Sequence, residues 1–163
     1  MLKVLSYFPT SLTKRLVHAV VMLRNPYCVG VRVLARDGDG AVLLVRHSYL
    51  PGWYLPGGGV DKGEVMATAA VRELREEVGI ACLNSPRLLG VYLNREGLGR
   101  DHIGLFEVND WSGTETYLAP NAEIVEARFF PLDTLPKQMS PATRRRLQEL
   151  RDGTLGEAGD GFW

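Results

Sequence analysis

Three glutamates, Glu73, Glu76 and Glu77, lie within five residues of one another in a segment that otherwise favours a helix. Like charges at this spacing repel each other and lower the stability of a helix. A solvated acidic face is one interpretation of the cluster. The other is a metal site, because carboxylate oxygens are suitable ligands for Mg²⁺ or Mn²⁺ and a bound cation converts the repulsion into attraction.

A glycine-rich loop, residues 57–59, precedes the predicted helix. Backbone N–H groups in such a loop can approach a ligand closely, and a loop beside bound metal is suited to a phosphate. With Glu73 at 0°, Glu76 lies at about −60° and Glu77 at about +40° around the helix. The adjacent stripe is apolar and predicts packing on a sheet. Its members are Ala67, Ala70, Val71, Leu74 and Val78.

The segment from Gly58 to Ile80 resembles a complete Nudix box, the signature of the Nudix hydrolases. Gly58 is followed after five residues by Glu64, and after seven more by the run RELREEVGI at 72–80. Outside the box, the resemblance extends over roughly residues 27–136. It implies an α/β (α+β) fold, specifically a Nudix-type α/β/α sandwich with a mixed β-sheet.

The resemblance also implies a reaction. Nudix enzymes use water and Mg²⁺ or Mn²⁺ to cut the pyrophosphate linkage of nucleoside diphosphate derivatives. The expected substrate is a small nucleotide-type molecule, either an ADP-ribose-like sugar nucleotide or a nucleoside triphosphate. By similarity, the metal site contains Glu73, Glu76, Glu77 and Gly57.

Two further residues of the box are implied to be structural. Glu64 and Arg72 are expected to hold the loop and orient Glu73, since a guanidinium offers a planar fork to a carboxylate. The general base of the reaction is left open among Glu76, Glu77 and, outside the box, Glu123. Glu126 is a nearby alternative to Glu123, because both belong to the start of a predicted late strand.

Substrate-binding residues are predicted around the glycine loop. Gly58 and Gly59 are expected to bind the phosphates, and Arg46, at the end of the second predicted strand, is a candidate for the same role. His47 and Trp53 are interpreted as structural residues that pack near the loop.

Two rival functions remain. A non-catalytic Nudix domain that senses a nucleotide and regulates a partner often loses box glutamates, whereas this chain keeps them all. An isoprenoid diphosphate isomerase needs a catalytic cysteine in the pocket. Cys28 and Cys82, the only cysteines, have apolar neighbours and are predicted to be reduced core residues of a cytoplasmic protein.

The length of 163 residues predicts a single domain with small appendages. The formal net charge is zero. Zero net charge disfavours a long nucleic acid as partner, because phosphate contacts require a basic face. Residues 1–25 are predicted to form an N-terminal appendage with an amphipathic helix that does not span a membrane. The Nudix domain is assigned to residues 26–153 and a tail to residues 154–163. A homodimer is possible.

Local patterns predict the remaining elements. Strands 27–36 and 41–47 are expected to form a hairpin around the turn DGDG, and strands 86–95 and 102–110 to form a second. The other expectations are a helix over about 65–78, a polar loop over 111–121, a strand over 123–132 and a helix over 140–153. The tail is expected to be ordered only if Phe162 and Trp163 pack on the domain.

Overall fold

The computed structural model describes residues 28–95, 101–157 and 161–163. The predicted N-terminal helix and the link 96–100 lie outside these residues. Seven strands and two helices are present in the described part. The strands are β1 Cys28–Ala35, β2 Val42–His47, β3 Ile80–Cys82, β4 Arg87–Asn94, β5 Asp101–Val108, β6 Trp111–Gly113 and β7 Ile124–Phe130, and the helices are α1 Met66–Val78 and α2 Pro141–Asp152.

The strands form a mixed arrangement. In the largest sheet, of order β1-β5-β4, β1 is parallel to β5 and β4 is antiparallel to it. Strand β2 pairs with β7 in an antiparallel ladder, and the short strands β3 and β6 pair with each other. The predicted hairpin of β4 and β5 is confirmed.

Side chains of β1 and β2 point alternately to two hydrophobic cores, one against each helix. One core includes the buried face of α1, and the other includes Leu147 of α2. The predicted α/β/α sandwich is therefore confirmed. The residues that face α1 are Val31, Val33, Leu43 and Val45, and those that face α2 are Leu34, Val42 and Leu44.

The predicted hairpin of β1 and β2 is wrong, although both strands and their turn are present. Asp37 Oδ1 accepts hydrogen bonds from the N–H groups of Asp39 and Ala41, which stabilises the turn. Beyond one bridge between Arg36 and Val42, the strands separate and pair elsewhere. Eight residue pairs join β1 to β5, a long-range parallel pairing that a local turn signal does not reveal.

The predicted loop 111–121 begins with a strand that sequence reasoning missed. Strands β3 and β6 have three residues each, too few to show a periodic pattern. Trp111 stabilises this region because its ring stacks on Tyr117 and Phe129, and its Nε1 donates to the carbonyl oxygen of Arg36 at 2.8 Å.

Helix α2 begins and ends at its predicted capping residues, and helix α1 ends at its predicted glycine, although its N-cap, Val65, provides no side-chain hydrogen bond. Helix α1 ends at Gly79, whose φ of 65° is left-handed and whose N–H donates back to the last turn. Helix α2 begins after Ser140, whose side chain accepts a hydrogen bond from Thr143 N, and ends at Gly153. The described helices are too short and too polar to cross a bilayer.

The cysteine prediction is partly wrong. Cys28 is exposed at the start of β1, where the strand has not yet entered the core, and Cys82 is half-buried. Both are free thiols.

The end of the chain packs on the sheet, which meets the condition under which the tail was expected to be ordered. Trp163 N donates to Leu93 O at 2.9 Å, and Leu93 N donates to Gly161 O at 2.8 Å. The guanidinium of the buried Arg146 lies 4.3 Å from the Tyr92 ring and donates to Phe162 O at 3.0 Å. Residues 161–163 therefore extend the fold beyond α2.

We expect Trp163→Ala to lower the free energy of unfolding by about 1–3 kcal/mol, because a half-buried indole packed against Tyr92 is lost. Urea unfolding measures the change. Leu83→Ala is the control, since Leu83 is 61% exposed and its truncation should have little effect. Equal stability of Trp163→Ala and wild type would contradict a structural role for the tail.

Candidate active site

The glycine loop lies along the free edge of β1. Gly58 O accepts from Val31 N, and Val60 N donates to Val29 O, both at 2.9 Å. Gly57 has φ of 130°, and a Cβ there would overlap the Val31 carbonyl oxygen. Only glycine therefore fits the position where the loop is closest to the strand.

Glu77 is the buried carboxylate of the cluster, with 4% of the residue exposed. Its Oε2 accepts a hydrogen bond from Gly57 N at 2.8 Å, which joins α1 to the loop. The pKa of Glu77 is raised to about 8, mainly by burial and also by the charges of Glu73 and Glu123, while the hydrogen bond from Gly57 N and the charge of Arg32 oppose the shift. A positive charge beside Glu77 would stabilise its ionised form and lower its pKa.

Glu73 lies against the next glycine of the loop. A Cβ on Gly58 would come within 2.6 Å of Glu73 Oε1, so the absence of a side chain makes room for the carboxylate. Burial also raises the pKa of Glu73, partly offset by Arg72 and reinforced by Glu76 and Glu123.

Arg72 connects the loop to three carboxylates. Its Nε and Nη2 bind both oxygens of Glu64 at 3.0 Å, and Nη2 also donates to Gly59 O at 2.9 Å. Its Nη1 donates to Glu73 Oε1 at 2.7 Å and to Glu76 Oε2 at 3.2 Å. The hydrogen bond from Arg72 is the main cause that lowers the pKa of Glu64. These contacts support the role predicted for Glu64 and Arg72, which stays a prediction.

We expect Arg72→Lys to lower turnover about tenfold, because an ammonium keeps the charge but cannot hold Glu64, Glu73 and the loop together. Steady-state kinetics on the best substrate measures the loss. Arg151→Lys is the matched control, at an exposed position of α2 away from the glutamate cluster. An Arg72→Lys enzyme as active as Arg151→Lys would show that the fork geometry is not needed.

Glu76 is the accessible member of the cluster, with 62% of its side chain exposed. It borders an open groove of about 760 Å³ that Arg72, Arg75 and the segment 114–116 also line. A solvent-borne ligand can therefore reach this side of the helix.

Glu123 is brought to the cluster from a distant part of the chain. Tyr49 Oη donates to its Oε1 at 2.8 Å, and this bond is the main cause that raises the pKa of Tyr49 to about 12. More than half of the Glu123 side chain is exposed. Its charge contributes to the raised pKa values of Glu73 and Glu77, so the three carboxylates act on one another.

Asn121 fixes Glu123 to the end of α1. Its Nδ2 donates to the carbonyl oxygens of Glu77 at 3.0 Å and Glu76 at 3.3 Å, and its Oδ1 accepts from Glu123 N at 2.9 Å. The preceding segment is held at the same place. Thr114 N donates to Gly79 O, and Leu118 N donates to Val78 O.

His47 lies in the site although its predicted role is structural. It is 6% exposed, and its ring contacts Tyr49 and Tyr54. Burial lowers its pKa, as does Arg32, while Glu123 raises it. One ligand atom from each of His47, Glu77 and Glu123 lies within 4.8 Å of the others.

The remaining predicted site residues are Arg46 and the three glycines of the loop. Arg46 forms an ion pair with Glu126 at 3.0 Å and lies over the Trp53 ring. Gly57 O accepts a hydrogen bond from Arg32. The phosphate role of Arg46, the metal role of Gly57 and the substrate roles of Gly58 and Gly59 stay predictions.

Sequence reasoning missed three residues that shape the site: Arg32, Tyr49 and Asn121. Arg32 had a usable signal, since it is the one charged residue in the apolar strand CVGVRVLA, and it donates to carbonyl oxygens of the glycine loop segment. Tyr49 and Asn121 are polar loop residues without a distinguishing pattern.

Comparison with known proteins identifies the family of this chain. The NUDIX domain model matches residues 26–150. An ADP-ribose pyrophosphatase of Methanocaldococcus jannaschii is 38% identical over 105 residues, covering 62% of this chain and 60% of that protein. An RNA pyrophosphohydrolase of Brucella anthropi is 30% identical over 156 residues, covering 77% of this chain and 87% of that protein.

A solved structure agrees with these matches. The MutT NUDIX hydrolase of Burkholderia pseudomallei superimposes with a TM-score of 0.64 and is 30% identical, covering 76% of this chain and 97% of that chain. The family match spans the glycine loop, the glutamate helix and Glu123. The chain therefore belongs to the Nudix family and is a Nudix hydrolase.

Proposed function

We propose that this hydrolase uses Mg²⁺ or Mn²⁺ to cleave the pyrophosphate linkage of a nucleoside diphosphate derivative. The observation that carries the proposal is the buried carboxylate of Glu77, which is held against the glycine loop beside Glu73 and Glu123. A buried carboxylate cluster that its neighbours compensate only in part costs folding energy, and a divalent cation offsets that cost.

The donor set fits the proposed ion. Hard oxygen ligands suit Mg²⁺ and Mn²⁺. The cluster supplies four carboxylates, of which two are largely buried, Glu77 and Glu73, and two are more than half exposed, Glu123 and Glu76. Glu77 is anchored through Gly57 N, and Glu73 through Arg72, so both carboxylates are held in place without the metal.

The reaction follows from the charges of the substrate. When bound, the metal would offset the negative charge of the pyrophosphate and lower the pKa of the attacking water. The water oxygen attacks one phosphorus, the bond from that phosphorus to the bridging oxygen breaks, and two phosphate products form. The water proton passes to one of the carboxylates of Glu76, Glu77 or Glu123. Gly58 and Gly59 bind the phosphates through the loop backbone.

The proposed substrate is an ADP-ribose-like sugar nucleotide or a nucleoside triphosphate. The Methanocaldococcus relative carries the first of these activities in its name, and the Brucella relative is named for RNA pyrophosphohydrolysis. The zero net charge of the chain favours small nucleotides over long RNA. A cytoplasmic location and a homodimer stay predictions from the sequence.

The test is a panel of substrates with Mg²⁺ or Mn²⁺, and with EDTA as control. The panel contains ADP-ribose, ordinary and oxidised nucleoside triphosphates, and a short 5′-triphosphorylated RNA. We expect one substrate to be hydrolysed in a metal-dependent way. Reaction in ¹⁸O-labelled water then identifies the attacked phosphorus, because the label enters only the product formed there.

Two outcomes would overturn the proposal. Hydrolysis that is unaffected by EDTA would contradict metal dependence. Tight binding of one panel member without turnover would favour a domain that senses a nucleotide and regulates a partner.

A further inference from the structure

His47 is the last residue of β2 and lies at an irregularity in the pairing of β2 with β7. The register of β2 against β7 shifts between Arg46 and His47. Arg46 lies over Trp53 and pairs with Glu126, whereas the His47 ring lies near Glu77 and Glu123. The bulge therefore aims an imidazole at the carboxylates of the proposed metal site.

The imidazole is buried without the hydrogen bonds that it needs. His47 is 94% buried, and neither Nδ1 nor Nε2 has a hydrogen-bond partner among the residues that the structure describes. Leaving a buried polar group unpaired is energetically unfavourable, so such groups are rare unless a ligand or water completes their hydrogen bonds. The rings of Tyr49 and Tyr54, at 5.3 and 5.4 Å, hold the imidazole in its orientation.

The distances fit a shared ion. His47 Nδ1 is 3.8 Å from Glu123 Oε1, and the three ligand atoms of His47, Glu77 and Glu123 lie within 4.8 Å of one another. Ligands at about 2.1 Å from an octahedral ion are separated by roughly 3 Å when adjacent and roughly 4.2 Å when opposite. A small side-chain adjustment therefore brings all three onto one cation.

The carboxylates are held independently of His47. Gly57 N positions Glu77, and Tyr49 Oη and Asn121 position Glu123. Ser48 N, the neighbour of His47, donates to Glu123 O at 2.8 Å, which fixes the strand end to the glutamate segment. The elements that carry the three ligands are thus connected through the backbone.

We propose that His47 is a nitrogen ligand of a divalent metal site that it forms with Glu77 and Glu123. The inference rests on the metal dependence proposed above and adds a ligand outside the glutamate helix. Imidazole favours transition metals over Mg²⁺, so the site takes Mn²⁺ or Co²⁺ more strongly than an all-oxygen site does. With Glu77 and Glu123 on the ion, Glu76 is the remaining candidate for the proton acceptor.

Pulsed electron paramagnetic resonance of the full chain with saturating Mn²⁺ tests the ligand directly. We expect a ¹⁴N coupling to the metal that changes to the ¹⁵N pattern when the protein contains ¹⁵N-labelled histidine. The coupling should vanish in His47→Gln and persist in His102→Gln. Calorimetry should show Mn²⁺ affinity at least about tenfold weaker in His47→Gln, with Mg²⁺ affinity changed by less than about threefold.

The assignment does not depend on one variant being folded. If His47→Gln fails to fold, the double variant His18→Gln/His102→Gln retains His47 as the only histidine of the chain. A ¹⁴N coupling that persists there supports the proposal, and its loss overturns it.

Failure of this inference is distinguishable from failure of the proposed function. Tight Mn²⁺ binding without nitrogen coupling in the wild type would overturn the His47 ligand and leave metal-dependent hydrolysis intact. A coupling that survives His47→Gln would also overturn it. Absence of Mn²⁺ binding would overturn the His47 ligand, and absence of both Mn²⁺ and Mg²⁺ binding would overturn both proposals.

Discussion

Replacement of Glu77 by glutamine is expected to lower turnover by at least about 100-fold, as the loss of one strong electrostatic contact in an active site can do. Glutamine has the shape of glutamate and can still accept the hydrogen bond from Gly57 N, so the loop stays in place. The charge that holds the cation is lost. Single-turnover kinetics at saturating substrate and Mg²⁺ measures the effect on the chemical step.

The same substitution should not lower the stability of the metal-free protein, although it lowers turnover. Glu77→Gln removes a carboxyl whose ionised form is disfavoured in the folded protein by burial and by Glu73 and Glu123, so its thermal stability without metal should equal or exceed that of the wild type. The stabilisation that Mg²⁺ gives to the wild type should be largely lost. Glu157→Gln, at an exposed position near the end of the chain, is the matched control for both measurements.

Glu76→Gln separates activity from stability. Its side chain is 62% exposed, so its replacement should change metal-free stability little while also lowering turnover at least about 100-fold. Near-normal turnover in both variants would refute the assignment of these glutamates to the active site.

Gly57→Ala is expected to lower the free energy of unfolding by at least about 3 kcal/mol and to abolish most of the activity. A Cβ would overlap Val31 O and lie 3.0 Å from Arg32 Cα, at a φ of 130° that alanine does not readily adopt. The loop must therefore leave β1, and Gly57 N then leaves Glu77. Chemical unfolding and turnover are measured together.

Gly59→Ala is the stability control for this prediction. Gly59 belongs to the same loop, but a Cβ there meets nothing within 4 Å. Its stability should be close to that of the wild type. Equal stability of Gly57→Ala and Gly59→Ala would contradict the close approach of the loop to the strand.

Local signals in the sequence predicted local structure well. Helix α1 was located by its apolar stripe and by Gly79, helix α2 by its capping residues Ser140 and Gly153, and the hairpin of β4 and β5 by its strand pattern. The pairing of β1 failed for a physical reason. Its partner β5 begins 73 residues further along the chain, and the pairing is parallel, so no turn between the strands records it.

In the candidate active site, too, the residues close in sequence were predicted and the long-range contacts were not. Helical spacing predicted the cluster of Glu73, Glu76 and Glu77, because residues three and four apart share a helix face. The neighbours that complete it come from other elements. Asn121 is 44 residues from Glu77, and Tyr49 is 74 residues from Glu123, so only the folded chain brings these groups together.

Hydrogen bonds between the end of α1 and the segment that follows β6 affect where the chain can change in length. Thr114, Leu118 and Asn121 each donate to a carbonyl at the end of the helix, and Asn121 also holds Glu123 N. Residues inserted between Thr114 and Leu118 would lengthen the wall of the groove beside Glu76, since the anchors on both sides keep the ends of the segment in place. We therefore expect the segment 115–117 to tolerate insertions and deletions while Asn121 keeps Glu123 in position.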